Sequence, residues 1–261
     1  MRPLASSGAP TTDFIAVVTG GASGIGRAIA LDLATRQDVS ALAILDIDEQ
    51  AAAATVEELR GYGTTIVSEV IDLADASSLD TTLRDLDQRL GGVNLLFNVA
   101  GVVGGRPNWP QMSVEKIERV VAVKLIATII STQFALQVMP DRGGGSVLNI
   151  GSSGAFSTRP REAAYSAANA GVVQFSKSCA ELYPTTGVRV NSFSPGVTDT
   201  PMLDYARQSD WVAKLLEEVE PLRPEAVASA AVQLAFDANA NGHAVLMLGQ
   251  PASATVVTGA T

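Results

Sequence analysis

The stretch Thr19-Gly-Gly-Ala-Ser-Gly-Ile-Gly26 decides the fold, because it joins an apolar run to a helical pattern. The run before it, Phe14 to Thr19, has the length and β-branched residues of a buried strand. Behind it, Ile25, Ile29 and Leu33 recur at helical spacing. Glycines permit positive φ and close backbone approach, and a helix N-terminus offers unpaired N–H groups to a pyrophosphate. The spacing is Gly-x3-Gly-x-Gly, so a bare glycine-rich turn is the alternative to a phosphate-binding loop.

The second predicted strand carries an acid that favours the phosphate-binding interpretation. It ends at Asp46, about 20 residues beyond the glycine loop, where a carboxylate can accept hydrogen bonds from the hydroxyls of an adenosine ribose. The same carboxylate would repel a 2′-phosphate, and neither Arg nor Lys directly follows it. NAD is therefore predicted rather than NADP. The alternative for Asp46 is a solvated loop acid ahead of a helix that begins at Asp48.

Strand and helix patterns alternate along the chain, which predicts a single α/β domain over 1–261. We expect a doubly wound, Rossmann-type parallel sheet of about seven strands with helices on both faces. The predicted strands are Phe14 to Thr19, Ala41 to Leu45, Thr65 to Val70, Asn94 to Phe97, Ser146 to Ile150, Val188 to Phe193 and Ala244 to Leu248. Two segments depart from this alternation. Residues 200–224 are predicted to form a substrate lid, with an ordinary surface helix as the alternative, and 252–261 a loosely held tail.

The composition excludes several classes of protein. The chain is 47% hydrophobic and 17% charged, which excludes intrinsic disorder. Its net charge of −9 repels phosphate backbones, so we expect no nucleic-acid partner. A lone cysteine, Cys179, allows no internal disulfide, and with a single histidine, His243, no Cys/His metal site is expected. Cys179 is predicted to lie in the core, and His243 to be a surface or packing residue.

The sequence also predicts a cytoplasmic protein with no membrane association. Residues 1–10 lack the apolar core of a secretory signal. The stretch from Val120 to Met139 is long and apolar, but Lys124 and several polar residues interrupt it. We therefore expect a buried core helix there rather than a membrane span.

Together these motifs resemble the short-chain dehydrogenase/reductase family over nearly the whole chain. The resemblance rests on Thr19 to Gly26, Asp46, Asp72, Asn98-x-Ala-Gly101, Asn149-Ile-Gly-Ser152, Tyr165 and Pro195-Gly-Val-Thr-Asp-Thr200. The ending Asn241 to Leu248 is similar to that of the 15-hydroxyprostaglandin dehydrogenase branch. The resemblance implies a set of NAD-binding residues, namely Gly20, Ser23, Gly24, Ile25, Gly26, Asp46, Asp72, Leu73, Asn98, Ala100, Gly101, Pro195, Thr198 and Thr200.

The resemblance also implies a catalytic tetrad of Asn, Ser, Tyr and Lys, which this chain does not match completely. Ser152 would hold the substrate oxygen, and Tyr165 would exchange a proton with it. The family lysine is expected four residues after the tyrosine, where this chain has Asn169. The family asparagine is expected in the preceding long helix, where this chain has Lys124. The two residue types are therefore exchanged.

The exchange matters because a neutral Asn169 cannot supply the free energy that a tyrosine needs to ionise near pH 7. Lowering a tyrosine pKa from about 10 to about 7 requires roughly 4 kcal/mol. A cation about 4 Å away contributes about that much at an effective dielectric constant near 20. We therefore predict that Lys124 restores the charge from the opposite wall of the site, while Asn169 keeps a hydrogen bond to the cofactor ribose. The alternative is lost activity, with Lys124 paired to an acid or directed outward.

The resulting functional prediction is an NAD-dependent oxidoreductase that interconverts a secondary alcohol and a ketone. Its substrate is predicted to be a largely apolar small molecule, with Phe156, Met202, Leu203, Tyr205 and Trp211 near the opening. The alternatives are a dinucleotide-binding protein without redox turnover, acting as a partner subunit or sensor, and a non-redox lyase or isomerase. By resemblance we expect a homodimer or homotetramer that assembles through the helices over Val114–Met139 and Glu162–Tyr183.

Overall fold

A computed structural model describes residues 13–206, 210–249 and 254–258. Their strands form one eight-stranded sheet in the order β3-β2-β1-β4-β5-β6-β7-β8. The first seven strands are parallel, and β8 pairs antiparallel with β7. The strands are β1 (Phe14–Thr19), β2 (Val39–Asp46), β3 (Thr65–Val70), β4 (Leu95–Asn98), β5 (Gly145–Ile150), β6 (Val188–Pro195), β7 (Ala244–Met247) and β8 (Ala254–Thr258). The predicted α/β Rossmann fold is confirmed, with one strand more than expected.

The helices cover both faces of this sheet. The helices that precede β5 in the chain are α1 (Gly24–Ala34), α2 (Glu49–Leu59), α3 (Ala76–Leu90), α4 (Val114–Val121), one π-helical turn (Ala122–Ile126) and α5 (Ala127–Val138). Those after it are α6 (Ala163–Ala180), α7 (Tyr183–Thr186), α8 (Pro201–Ala206), α9 (Asp210–Glu218) and α10 (Pro224–Phe236). Short 3-10 turns lie at Pro140–Arg142, Ser153–Ala155 and Pro160–Glu162.

The alternation of side chains along each strand divides the core into two layers. In β1, Ala16 and Val18 pack on the face covered by α1 and α10, while Val17 packs on the face covered by α3 and α5. Successive side chains of a strand point to opposite faces, so one apolar run supplies both layers. This explains why the central strands have no polar alternation.

The strand order reverses direction between β1 and β4, and this position sets the site. From β1 the chain winds outward to β2 and β3, then returns to β4 and winds the other way. Loops that follow the carboxyl ends of β1 and β4 therefore separate and leave a crevice. In open α/β sheets this crevice is where ligands bind.

Two sequence predictions concern segments at the end of the chain. The loose tail predicted for 252–261 is wrong at Ala254–Thr258, which form β8 on the edge of β7. The sequence suggested a tail because these residues are small and polar, but the backbone of β7 offers an open edge that a short segment can pair with. The predicted lid, 200–224, contains α8 and α9, and its lid role stays a prediction.

One helical stretch, Val114–Val138, is long and apolar enough to cross a membrane. Half of its most apolar window is buried inside the protein, and its α5 portion packs against α3 and β4. Core helices of α/β proteins meet the same length and composition criteria. The structure therefore agrees with the predicted core helix, and the absence of a membrane partner stays a prediction.

Candidate active site

The glycine loop between β1 and α1 leaves no room for side chains. A Cβ on Gly26 would lie 2.0 Å from the carbonyl oxygen of Gly20, and one on Gly20 would lie 2.9 Å from Cα of Ala100. Gly20 and Gly24 also have φ of 66° and 51°, which favour glycine. The loop leads directly into the N-terminus of α1 at Ser23, Gly24 and Ile25. It thus forms a backbone cradle that fits a pyrophosphate group.

Asp46 ties the end of β2 to this loop. One carboxylate oxygen accepts a hydrogen bond from the backbone N–H of Ala22 at 3.0 Å. The other accepts from the N–H groups of Ile47 and Asp48 at 2.8 and 3.1 Å. A carboxylate offers about four acceptor positions, so one position stays available to a ribose hydroxyl. Asp46 therefore lies beside the cradle, where the sequence predicts it.

Asp72 and Leu73 follow β3 and differ in their surroundings. The Asp72 carboxylate accepts hydrogen bonds from Arg119 at 2.6 Å to both oxygens and from the N–H of Ala74 at 2.9 Å. The Arg119 bond holds the pKa of this carboxyl below its usual value, against the opposing effect of burial. Leu73 is buried. Cofactor contacts of both residues stay predictions.

Asn98 holds the sheet together rather than facing the crevice with a free amide. Its side-chain amide donates to Asn149 at 2.8 Å and to Thr132 at 3.3 Å. Just beyond it, the backbone N–H of Ala100 lies 3.4 Å from the hydroxyl of Thr19. The Thr19 contact fixes the loop after β4 against the glycine loop, so that the backbone of Ala100 lies against Gly20.

Lys124 is a buried cation in the π-helical turn between α4 and α5. It is 3% exposed, and its amine donates to the carbonyl oxygen of Ala100 at 3.0 Å. Burial lowers the pKa of the amine to about 7. A Cβ on Gly101 would lie 3.2 Å from Cδ of Lys124. Single π turns inside helices often occur at functional sites, and this one directs a lysine toward the loop after β4.

Ser152 and Tyr165 lie at the two ends of the segment that joins β5 to α6. Ser152 follows β5, and Tyr165 is in the first turn of α6. The Ser152 hydroxyl accepts a hydrogen bond from the N–H of Gly154 at 3.1 Å, which orients it at the end of β5. Burial raises the pKa of Tyr165, and Glu162 raises it further. A hydrogen bond to Ser152, the charge of Arg159 and the amide of Asn169 oppose this increase. The Tyr165 phenol and the Ser152 hydroxyl are thus hydrogen-bonded to each other.

Asn169 occupies the position where the family resemblance expects a lysine. It is fully buried on α6, and its amide donates to the backbone carbonyl of Tyr165 at 2.9 Å. Its side-chain oxygen has no hydrogen-bond partner among the described residues. A buried acceptor without a partner is costly, and the hydrogen bond to the cofactor ribose predicted for Asn169 stays a prediction.

One cleft, open to solvent, brings many of these residues together. Of the predicted catalytic residues, Lys124, Ser152 and Tyr165 line it, whereas Asn169 does not. Predicted cofactor residues on its wall are Ile25, Gly101, Pro195, Thr198 and Thr200. Met202 and Leu203 line the same cleft, while Phe156 does not, and the side chains of Tyr205 and Trp211 lie outside the described residues.

Two charged residues of the cleft were missed by the sequence analysis. Arg159 and Glu162 both line the cleft, between Ser152 and Tyr165 in the chain. A signal was present, because two opposite charges three residues apart lie between the two predicted catalytic residues. The sequence alone did not indicate that the connecting segment turns these charges inward.

Comparison with known proteins agrees with this geometry. Residues 14–211 match the family described as short chain dehydrogenase. The chain belongs to this family. It is 33% identical to D-threitol dehydrogenase of Mycolicibacterium smegmatis over 229 residues, covering 87% of each chain. It is 26% identical to levodione reductase of Leifsonia aquatica over 237 residues, covering 88% of this chain and 84% of the relative.

Solved structures give the same result. A crystal structure of levodione reductase superimposes with a TM-score of 0.84 at 25% identity, covering 91% of this chain and 97% of that one. A variant of actinorhodin polyketide ketoreductase with NADPH gives a TM-score of 0.82 at 27% identity, covering 93% and 98%. The relatives are oxidoreductases of alcohols and ketones, and members of the family bind NAD or NADP. The similarity to the 15-hydroxyprostaglandin dehydrogenase branch stays a prediction.

Proposed function

We propose that this protein is an NAD-dependent oxidoreductase that interconverts a secondary alcohol and a ketone on a small, largely apolar molecule. The observation that carries the proposal is the single cleft lined by Tyr165, Ser152 and Lys124, beside the loop after β4. The phenol is a proton donor, the hydroxyl a hydrogen-bonding group and the amine a cation. These groups suit a carbonyl oxygen that gains or loses a proton.

The residues around the crevice fit a dinucleotide. The glycine loop would hold the pyrophosphate, because it leads directly into the N-terminus of α1, whose N–H groups favour an anion. Asp46 would hold the adenosine ribose, and its charge favours NAD over NADP. A structural neighbour was solved with NADPH, so the fold alone does not favour NAD, and the proposed preference rests on Asp46. When bound, the nicotinamide supplies the hydride acceptor or donor.

The chain's own residues would perform the proton chemistry. Ser152 would donate a hydrogen bond to the substrate oxygen and orient it toward Tyr165. In the reductive direction the Tyr165 phenol would give its proton to that oxygen, and in the oxidative direction the phenolate would take it. Burial opposes formation of the phenolate. A cation is therefore required, and we propose that Lys124 supplies it.

Three variants test this assignment. Tyr165→Phe is expected to abolish turnover, and Ser152→Ala to lower kcat/KM by about 100-fold or more. Lys124→Ala is expected to lower kcat/KM for alcohol oxidation and to move its acidic limb to higher pH, because the phenolate would lose the cation that stabilises it. If Lys124→Ala left turnover and its pH profile unchanged while Tyr165→Phe was inactive, Lys124 would have no role in ionising the phenol.

A second function is favoured by two observations. The hydrogen bond of the Lys124 amine goes to Ala100, and the described residues whose charges act on the phenol are Glu162 and Arg159. Both fit a dinucleotide-binding protein without redox turnover, or a lyase or isomerase on this scaffold. Calorimetry with NAD and NADH, followed by absorbance assays on a panel of alcohols and ketones, separates the two. Cofactor binding without any redox change would support the second function.

A further inference from the structure

The segment between Ser152 and Tyr165 places an ion pair on the wall of the cleft. Arg159 and Glu162 both line it, with side chains 22% and 15% exposed. Charged side chains are seldom this buried unless they are paired or meet a ligand. Glu162 lies three residues before Tyr165, and the charges of both residues act on the phenol. The pair therefore lies within electrostatic range of the reacting oxygen.

The cleft has more basic than acidic side chains, although the whole chain is acidic. The chain carries a net charge of −9. Among the residues that line the cleft, Lys124 and Arg159 are basic and Glu162 is acidic. Burial lowers the pKa of the Lys124 amine to about 7, so Arg159 is the basic group of this lining that stays charged above neutral pH. The guanidinium keeps its charge at every working pH.

The Arg159 guanidinium is hydrogen-bonded on both sides, but it has more N–H groups than partners among the described residues. One terminal nitrogen donates to the Ser153 hydroxyl at 2.7 Å, and Nε lies 3.4 Å from the Ser157 hydroxyl. The other terminal nitrogen lies 3.4 Å from the Glu162 carboxylate, which is longer than the usual 2.7–2.9 Å of a strong charge-assisted bond. An arginine has five N–H groups, so two have no partner among the described residues.

We propose that Arg159 is a specificity-determining residue that binds a carboxylate of the substrate. The substrate class is then a hydroxy acid or keto acid with an apolar body, whose hydroxyl or carbonyl reaches Tyr165 while its carboxylate meets the guanidinium. This inference rests on the proposed alcohol–ketone function. The planar guanidinium matches a carboxylate through two parallel hydrogen bonds, which the long Glu162 contact leaves possible.

The competing interpretation is structural. Arg159 and Glu162 are three residues apart and also connect a 3-10 turn to the loop before it, so they could simply fix the segment that carries Tyr165. A structural pair would affect every substrate equally, whereas a carboxylate-binding arginine affects acids selectively. The ratio between an acid and its neutral ester therefore separates the two. A change in the pKa of Tyr165 would alter kcat/KM for the acid and for the ester by the same factor, because both use the same phenol, so the ratio would not change.

The experiment compares 3-hydroxybutanoate, 5-hydroxyhexanoate and 4-hydroxycyclohexanecarboxylate with their methyl esters, using the full chain and NAD. In the wild type we expect kcat/KM for at least one acid to exceed that of its ester by about 10- to 100-fold, mainly through KM. Arg159→Gln is expected to bring this ratio close to one. Arg159→Lys keeps the charge without the planar geometry and is expected to give an intermediate ratio.

Two further variants serve as controls. Arg161→Gln removes the same charge from an exposed position that does not line the cleft, and its acid-to-ester ratio is expected to match the wild type. Glu162→Gln removes the competing carboxylate and is expected to keep or increase the preference for the acid. A wild-type ratio near one for every pair would overturn the proposal, as would an Arg159→Gln variant that loses acid and ester equally.

A binding measurement separates this proposal from the proposed redox function. Cyclohexanecarboxylate is titrated calorimetrically into the wild type and the Arg159→Gln variant, each saturated with NAD. Binding that the variant lacks would support the carboxylate site even if no alcohol were oxidised. Equal binding to both proteins would overturn it, whatever the enzymatic activity. If Arg159→Gln does not fold, the wild-type ratio and the Arg159→Lys variant decide the question.

Discussion

At the scale of single residues, the exchange of Lys and Asn between α6 and the π turn is the most informative feature. The π turn that carries Lys124 packs against α6, which carries Asn169. If the two positions serve one site, Lys124→Asn alone is expected to lower kcat/KM by about 100-fold. Asn169→Lys alone is expected to destabilise the protein, because it buries a second cation near the first.

The double variant Lys124→Asn with Asn169→Lys is expected to recover kcat/KM to within about tenfold of the wild type. The measurement is a double-mutant cycle on kcat/KM, for which we expect a coupling free energy of about 1–3 kcal/mol. Additive losses, with no recovery in the double variant, would mean that the two positions act independently. The site would then not be a rearranged form of the family tetrad.

The buried amine of Lys124 also predicts how stability changes with pH. Its pKa is lowered from 10.5 in the unfolded chain to about 7 in the folded protein. Between these values the unfolded chain binds more protons, so the free energy of unfolding rises with pH over this range. Lys124→Met removes the titrating group. The wild type is therefore expected to gain about 1 kcal/mol per pH unit relative to Lys124→Met between pH 7 and 9.

Urea unfolding of both proteins without cofactor, at pH 6, 7, 8 and 9, measures this difference. Below pH 7 the difference is expected to level off, because the amine is then protonated in both states. A difference that stays constant from pH 6 to pH 9 would show that the amine titrates normally in the folded protein. Such a lysine would have to be hydrated rather than buried at the site.

At the scale of elements, the glycine loop contacts the segment after β6. A Cβ on Gly24 would lie 2.9 Å from Cγ2 of Thr200, and Gly24 has positive φ. Gly24→Ala is therefore expected to cost about 1 kcal/mol of stability through φ and, in addition, to weaken NAD binding by about tenfold through displacement of the loop. Calorimetric titration with NAD measures the second effect.

Gly61→Ala is the matched control, because Gly61 also has positive φ but no atom lies within 4 Å of its would-be Cβ. It is expected to lose stability without loss of NAD affinity. Thr200→Ser removes Cγ2, so the Gly24→Ala and Thr200→Ser double variant is expected to bind NAD more tightly than Gly24→Ala alone. Equal NAD affinity in Gly24→Ala and the wild type would contradict a coupling between the loop and this segment.

The sequence predicted the seven parallel strands well because, apart from the edge strand β3, they are short apolar runs that are largely buried. It failed at β8, whose residues Thr255, Val256 and Val257 are exposed and whose pairing depends on the open edge of β7. It also gave no indication of the π turn at Ala122–Ile126, because one extra residue in a helix leaves the apolar spacing nearly unchanged. Local pattern therefore predicts burial better than it predicts pairing or helix irregularity.

At the scale of the whole molecule, the site follows from topology more than from any one motif. Asp46 is far from Ser152 and Tyr165 in the chain, yet Asp46 ends β2, Ser152 follows β5, and Tyr165 lies in the first turn of α6. A parallel sheet brings such ends to one edge, which is why their association could be predicted. The orientation of Arg159 and Glu162 could not, because it depends on how one connecting segment turns over the cleft.

The assembly of whole chains is the remaining prediction at this scale. The long helix over Val114–Val138 buries only half of its most apolar window within the chain, and Ile126 on it is 43% exposed. The family resemblance implies that such a surface is covered by a second copy. We expect the wild type to sediment as a dimer or tetramer at micromolar concentration, and Ile126→Glu to shift it toward a 27.0 kDa monomer, because a carboxylate would be buried at the contact.

Tyr62→Glu adds the same charge at a side chain that is 50% exposed and lies between α2 and β3, and its sedimentation coefficient is expected to match the wild type. A monomeric wild type, or equal shifts in both variants, would mean that this helix face is not the assembly surface.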